Sequence, residues 1–199
     1  MRNDYLSLHQ FEPVAPYTDS LLVSTYSPHA LDVAVPYAAS RLIVESLASR
    51  LLDQFGGRTS YLSLGASSMY STWDTQWFED TLKFYNYPVH YGIVLTDRIL
   101  TKEWVEFESE SGTKWIVFDW WQWIRRKVPA QRYSDAIMFL CQASEEYVRS
   151  PERSYAGIPD DVLTAMQQEG NRLFGHVERV FSERLFEYWG TPLIPDVLE

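Results

Sequence analysis

The sequence has only one cysteine, Cys141, in 199 residues. A lone cysteine cannot form a disulfide within the chain, and it cannot supply a cysteine-based zinc cluster. Histidine is also scarce, and the four that occur are scattered without the spacing of a zinc-binding motif: His9, His29, His90 and His176. We therefore expect a protein of a reducing compartment that carries no metal and no cofactor.

Long apolar runs are absent as well. The longest fall well short of the roughly 18 residues that a membrane-spanning helix needs. The amino-terminal stretch MRNDYLSLHQFEP lacks the apolar core of a secretory signal, and no repeat or low-complexity tract occurs. These features predict a soluble, cytoplasmic protein that makes no membrane contact.

The chain has no excess of positive charge, because its formal net charge at pH 7 is −10. This balance argues against broad binding to a phosphate backbone, which needs a positive field. Aromatic residues, in contrast, are abundant at 16% of the chain, with 8 tryptophans and 13 tyrosines. Since aromatic side chains fill cores and also anchor binding surfaces, the composition favours a globular protein that binds other proteins.

Hydrophobic periodicity divides the chain into short strands and longer helices. The most regular helix is YAASRLIVESLASRLLDQF (37–55), which follows Pro36 and ends at Gly56-Gly57. Other helices are predicted at 75–87, 133–150 and 159–189, the last with a break or kink at Gly170-Asn171, and strands at 21–27, 60–65 and 90–97.

With a hairpin, these elements predict an α+β fold, with α/β as the alternative: a mixed sheet, about four helices and a helical C-terminal half. Residues 1–199 are expected to form one domain, with an extended arm at 1–20 and a tail at 191–199.

The hairpin is predicted from segments 103–109 and 113–120, which flank Ser111-Gly112, a plausible two-residue turn. That turn sets Glu110 opposite Thr113, Phe107 opposite Ile116 and Val105 opposite Phe118. It gathers these apolar partners, with Trp120, on one face. The opposite face then carries a mixture of aromatic, apolar and acidic side chains: Trp104, Glu106, Glu108, Trp115, Val117 and Asp119.

The stretch GTKWIVFDWWQWIRRK (112–127) contains four tryptophans. Its strand is apolar on both faces, which is typical of a core strand. Trp115, however, shares its predicted face with two glutamates that resist burial. We therefore predict a core strand that also offers a surface to a partner protein or a second copy of the chain, formed by Trp104, Glu106, Glu108, Trp115, Trp121 and Trp123.

A group of basic residues comes with these tryptophans, and no acid lies from Trp120 through Ser134: Arg125, Arg126, Lys127 and Arg132. Cations beside stacking aromatics suit single-stranded nucleic acid or RNA. The acidic composition and the absence of an RNP-type aromatic motif argue against this reading. We interpret the basic group as a solvated helix entry that pairs with nearby acids.

Three carboxylates give an enzyme alternative. Asp97 ends an apolar strand, and the predicted register sets Glu106 diagonal to Asp119. Hard oxygen ligands near one sheet edge suit Mg²⁺ and phosphodiester chemistry. The lysine expected after the second acid of a hairpin nuclease is missing, because Trp120-Trp121 follow Asp119.

A second enzyme alternative rests on SYLSLGASS, where Gly65 and hydroxyl residues separate a strand from a helix. Backbone amides in such a loop can bind an anion, although the fuller glycine fingerprint of dinucleotide sites is absent. The alternatives are thus a metal-dependent phosphodiesterase or nuclease and a nucleotide-binding enzyme. The sequence as a whole favours a non-enzymatic protein that acts by protein–protein interaction or self-association.

Overall fold

The computed structural model of the chain describes residues 15–27, 31–66, 89–97, 100–150 and 157–190, together with Gln10 and Pro13. The helix predicted at 75–87, the tail at 191–199 and most of the arm at 1–20 lie outside these residues. None of the helices in the described part of the chain is long and apolar enough to cross a membrane.

The described residues contain five strands and five α-helices. The strands are β1 (Ser20–Tyr26), β2 (Thr59–Ala66), β3 (Tyr91–Thr96), β4 (Trp104–Glu108) and β5 (Lys114–Asp119). The helices are α1 (Ala39–Phe55), α2 (Trp120–Lys127), α3 (Tyr133–Gln142), α4 (Glu145–Arg149) and α5 (Asp160–Tyr188). The predicted α+β class, with a mixed sheet and a helical C-terminal half, is confirmed.

The strands form one sheet in the order β2-β1-β3-β5-β4. Neighbouring strands are parallel along β2, β1, β3 and β5. β4 pairs with β5 at the edge of the sheet as an antiparallel strand. The inner strands β1, β3 and β5 are buried along almost their whole length. Such strands read as continuous apolar runs, which is why 90–97 and 112–119 lack alternation.

Two apolar layers flank the sheet. On one face, strand residues such as Leu22, Ile93 and Phe118 pack with apolar side chains of α1, α2, α3 and α5. On the other face a smaller group, which includes Val94 and Trp115, is also buried. The sheet is therefore the centre of the core, and most of the described helices pack on one side of it.

Helix α1 confirms its predicted pattern, because its apolar stripe is buried and its end is the predicted one. The backbone amide of Gly56 closes the helix by donating to the carbonyl of Leu52 at 2.7 Å. Two other helix predictions were wrong. The segment 133–150 is two helices, because Ser144 is extended (ψ 125°) and starts α4 anew. Helix α5 runs unbroken through Gly170, which a neighbouring helix contacts closely.

Helix α2 is not among the predicted helices, because the chain turns helical at Trp120, ahead of the helix predicted at 133–150. The side chain of Asp119 accepts a hydrogen bond from the backbone amide of Gln122 at 3.1 Å. This is the N-cap contact that Asp makes at helix starts. Trp121 and Trp123 therefore lie on a helix and do not continue the strand.

The predicted hairpin exists, but its register was wrong by one residue. Phe107 lies opposite Trp115 and Val105 opposite Val117, while Glu110 lies in the loop. The reason is the turn: Gly112 adopts φ 82°, and Ser109 and Thr113 close a three-residue loop through a 2.9 Å hydrogen bond. A three-residue loop of this kind ends in a left-handed residue, which glycine adopts without strain.

The corrected register redistributes the side chains between the two faces. Glu106 lies opposite Ile116, on the face that the helices cover, while Trp115 and Val117 lie on the other. The predicted surface that combined Trp115 with Glu106 and Glu108 therefore does not form.

The thiol of Cys141, buried on α3, predicts an alkaline loss of stability. Burial raises the pKa of Cys141 from 9.0 to about 12. The folded state thus holds the thiol proton more tightly than the unfolded state. The contribution of this proton to the free energy of unfolding is complete below pH 9 and is lost between pH 9 and 12. At pH 10 we expect a loss of about 1 kcal/mol of unfolding free energy from this group.

Urea unfolding of the wild type and of Cys141→Ala at pH 7.5 and 10 measures this loss. Other groups, including Tyr61 with its raised pKa, contribute to both proteins, so the difference between them isolates the thiol. A difference that does not change with pH would contradict the expectation.

Candidate functional site

The predicted partner surface on the hairpin is largely buried. Trp115 has 0% exposure and Trp123 has 2%. Trp104 is half-buried, with its ring centroid 4.4 Å from that of Phe118 and 5.0 Å from that of Phe181. These aromatic rings act mainly as core, and they leave little surface for another protein.

The acidic members of that surface are exposed, and Glu106 is paired within the chain. Glu106 forms an ion pair with Arg184 of α5 at 2.6 Å. Glu108 lies opposite Lys114 across the hairpin. Trp121 is half-buried beside Tyr133, with ring centroids 5.8 Å apart.

The three predicted metal-binding acids do not form one group: Asp97 and Asp119 lie at the adjacent ends of β3 and β5, but Glu106 does not join them. Asp119 is fully buried and accepts from the amides of Gln122 and Leu100, and Asp97, also fully buried, accepts from the amide of Ser27 at 2.7 Å. Glu106 points to the other face of the sheet, toward Arg184. Among the described residues, no group of three His, Cys, Asp or Glu side chains could hold a metal ion.

Gly65 lies at the C-terminal end of β2 with φ 66°, and the loop that follows it lies outside the described residues. Near it, a buried hydroxyl network connects α1 to β1 and β2. Glu45 accepts hydrogen bonds from Tyr61 at 2.6 Å, from Ser63 at 2.7 Å and from Ser24 at 3.1 Å. Burial is the main cause that raises the pKa of Tyr61, and the hydrogen bond to Glu45 adds to it. The network joins a helix to two strands, which is a structural role.

A cleft lies where α2, α3 and α5 meet, and we call it the basic cleft. It has a volume of about 290 Å³. Its lining residues combine apolar and charged side chains: Trp123, Lys127, Val128, Pro129, Arg132, Ala136, Phe139, Glu169, Arg172, Leu173 and His176.

The floor of the basic cleft is formed by apolar groups on rigid helices. Trp123 lies in the middle of α2, and its ring centroid is 5.7 Å from that of His176 on α5. Pro129 ends the α2 segment, since proline cannot continue a helix, and directs the chain toward α3. Phe139 and Leu173 come from the two helices that pack most closely against each other, α3 and α5.

The rim of the basic cleft is cationic. Of the described residues that line it, Lys127, Arg132 and Arg172 are cations and Glu169 is the one carboxylate, which is an excess of two positive charges. Arg172 and Glu169 are 2.6 Å apart, and their hydrogen bond lowers the pKa of Glu169. Arg132 and Asp135 form a long ion pair, with 3.9 Å between the charged atoms. No ion pair joins Lys127 to another of the described residues.

The basic group therefore divides into two parts. Lys127 and Arg132 lie on the cleft, whereas Arg125 and Arg126 lie on the exposed surface of α2, where Arg126 pairs with Glu103 at 3.2 Å. All three cations of α2 lie in its last turn, where they also stabilise the helix dipole.

Sequence reasoning identified half of the rim and missed the other half. Arg172 and His176 lie about 45 residues after Lys127, on a helix whose position depends on tertiary packing. The available signal was the spacing of Glu169, Arg172, Leu173 and His176 at three- and four-residue steps, which places them on one face of α5.

No protein-family model, no curated protein and no solved structure matches the chain. We therefore infer the kind of ligand from the side chains that line the basic cleft. A shallow apolar floor with cations at its edge is suited to a ligand that has both an apolar body and a negative charge.

Proposed function

We propose that the protein is a non-enzymatic binding protein whose basic cleft takes an anionic group carried on an apolar body. The observation that carries this proposal is the excess of two positive charges around an apolar cavity, in a chain with a net charge of −10. A local field opposite in sign to the rest of the surface guides an anion to this one place.

The composition of the cleft supports binding rather than catalysis. A hydroxyl, thiol or carboxylate nucleophile needs a general base beside it. Among the described residues that line the basic cleft there is no Ser, Thr, Tyr or Cys, and the one carboxylate, Glu169, is bound to Arg172.

Fluorescence titration with 8-anilinonaphthalene-1-sulfonate tests the proposal, since this dye is an anion on an apolar body. We expect saturable binding to the folded protein at low ionic strength, where exposed charges are least screened. Lys127→Glu should weaken it about tenfold, which corresponds to about 1.4 kcal/mol.

Two controls define the result. Arg125→Glu makes the same change on the same exposed turn, outside the cleft, and should leave the affinity within about twofold. The neutral analogue N-phenyl-1-naphthylamine should bind more weakly than the dye and respond little to Lys127→Glu. Equal losses in the two variants would reject the cleft as the binding site.

A further inference from the structure

The proposed function leaves the natural occupant of the basic cleft open, and the following inference rests on that function. We infer that the occupant is a segment of a partner protein in which one apolar side chain lies between acidic residues.

The size of the cleft suits one large apolar side chain. Pockets that bury most of a small ligand usually measure about 300–1,000 Å³. The basic cleft, at about 290 Å³, lies at the lower end of that range. A single leucine, methionine or aromatic side chain fits its floor of Trp123, Phe139 and Leu173, while the rest of the ligand stays outside.

The positions of the cations indicate where the negative charges lie. The side chain of Arg132 is 59% exposed and that of Arg172 is 71% exposed, so both reach into solvent around the cavity. They come from different elements, since Arg132 precedes α3 and Arg172 lies on α5. Cations that two elements bring to the edge of an apolar cavity are complementary to carboxylates that neighbour an apolar residue in a peptide segment.

The same features argue against single-stranded nucleic acid. Base stacking needs an exposed aromatic face. The indole of Trp123 is only 2% exposed and packs beside His176, so it offers no such platform.

Fluorescence anisotropy with a labelled peptide tests the inference. The probe has one central leucine between runs of glutamate, and two further peptides replace either the leucine by serine or the glutamates by glutamine. We expect the leucine–glutamate peptide to bind at least about tenfold more tightly than either control peptide. Lys127→Glu should weaken it about tenfold, and Arg125→Glu by less than about twofold.

The outcomes separate the inference from the proposed function. If the dye binds through Lys127 but the three peptides bind equally weakly, the inference fails and the proposed function stands. If neither dye nor peptide depends on Lys127, both fail. Tighter binding of a thymidine oligonucleotide than of the peptide, with a steep salt dependence, would overturn the inference in favour of nucleic acid.

Discussion

Gly170→Ala is expected to destabilise the protein by about 3 kcal/mol, because α5 crosses α3 at this residue with no space for a methyl group. A β-carbon at Gly170 would lie 1.9 Å from the backbone carbonyl oxygen of Phe139 and 2.8 Å from the β-carbon of Ala143. A backbone atom cannot rotate away as a side chain can, so the two helices would have to separate. Separation would also open the floor of the basic cleft, which both helices form.

Gly175 on the same helix provides a matched control. A β-carbon there meets nothing within 4 Å. In an exposed helix interior, alanine is more stable than glycine by roughly 0.5–1 kcal/mol. Urea unfolding should therefore give effects of opposite sign for the two variants, and a Gly170→Ala variant as stable as Gly175→Ala would contradict the tight crossing.

Gly92→Ala is the second change for which we expect a large loss, again of about 3 kcal/mol. Gly92 is the neighbour of Trp115 across the parallel pair β3–β5. A β-carbon at Gly92 would lie between 2.1 and 2.4 Å from three atoms of the indole ring. Since Trp115 has 0% exposure, its ring has no free volume into which it could turn.

A double-mutant cycle makes this prediction specific. Trp115→Leu removes the ring that covers Gly92 and destabilises the protein through the lost packing. In that background Gly92→Ala should cost much less than it does in the wild type, because its clash is gone. Additive losses would show that another contact, and not the indole, limits the space at Gly92.

Local sequence predicted those elements whose signals are local. The apolar stripe of α1 and its glycine end, the inner strands and the presence of a hairpin were all evident. The hairpin register depended on one dihedral angle: Gly112 at φ 82° closes a three-residue loop where a two-residue turn was expected. A difference of one residue placed Glu106 on the face of Phe118 and separated it from Trp115.

The start of α2 could also have been predicted. Asp119 follows a strand and precedes Trp120, and aspartate is a preferred N-cap residue. The run of apolar residues on both sides concealed this signal, because a buried strand and a buried helix have similar composition over short stretches.

The basic cleft was only half predictable for a different reason. Lys127 and Arg132 are close in sequence, but Arg172 reaches the same cavity only because Gly170 lets α5 approach α3. This packing depends on the missing side chain of a glycine. A sequence pattern shows the glycine but does not show which element packs against it.

The position of β1 in the sheet has a consequence for the order of folding on the ribosome. β1 pairs with β2 on one side and with β3 on the other, and Ser27 and Asp97, which join the ends of β1 and β3, are 70 residues apart. Residues 20–66 therefore emerge with one side of β1 paired and the other open. At about 5–20 residues per second, the chain up to residue 96 needs roughly 1.5 to 6 seconds more. Over that time one edge of the apolar strand β1 is without its native neighbour, so a chain arrested between residues 66 and 96 exposes a strand edge that favours aggregation.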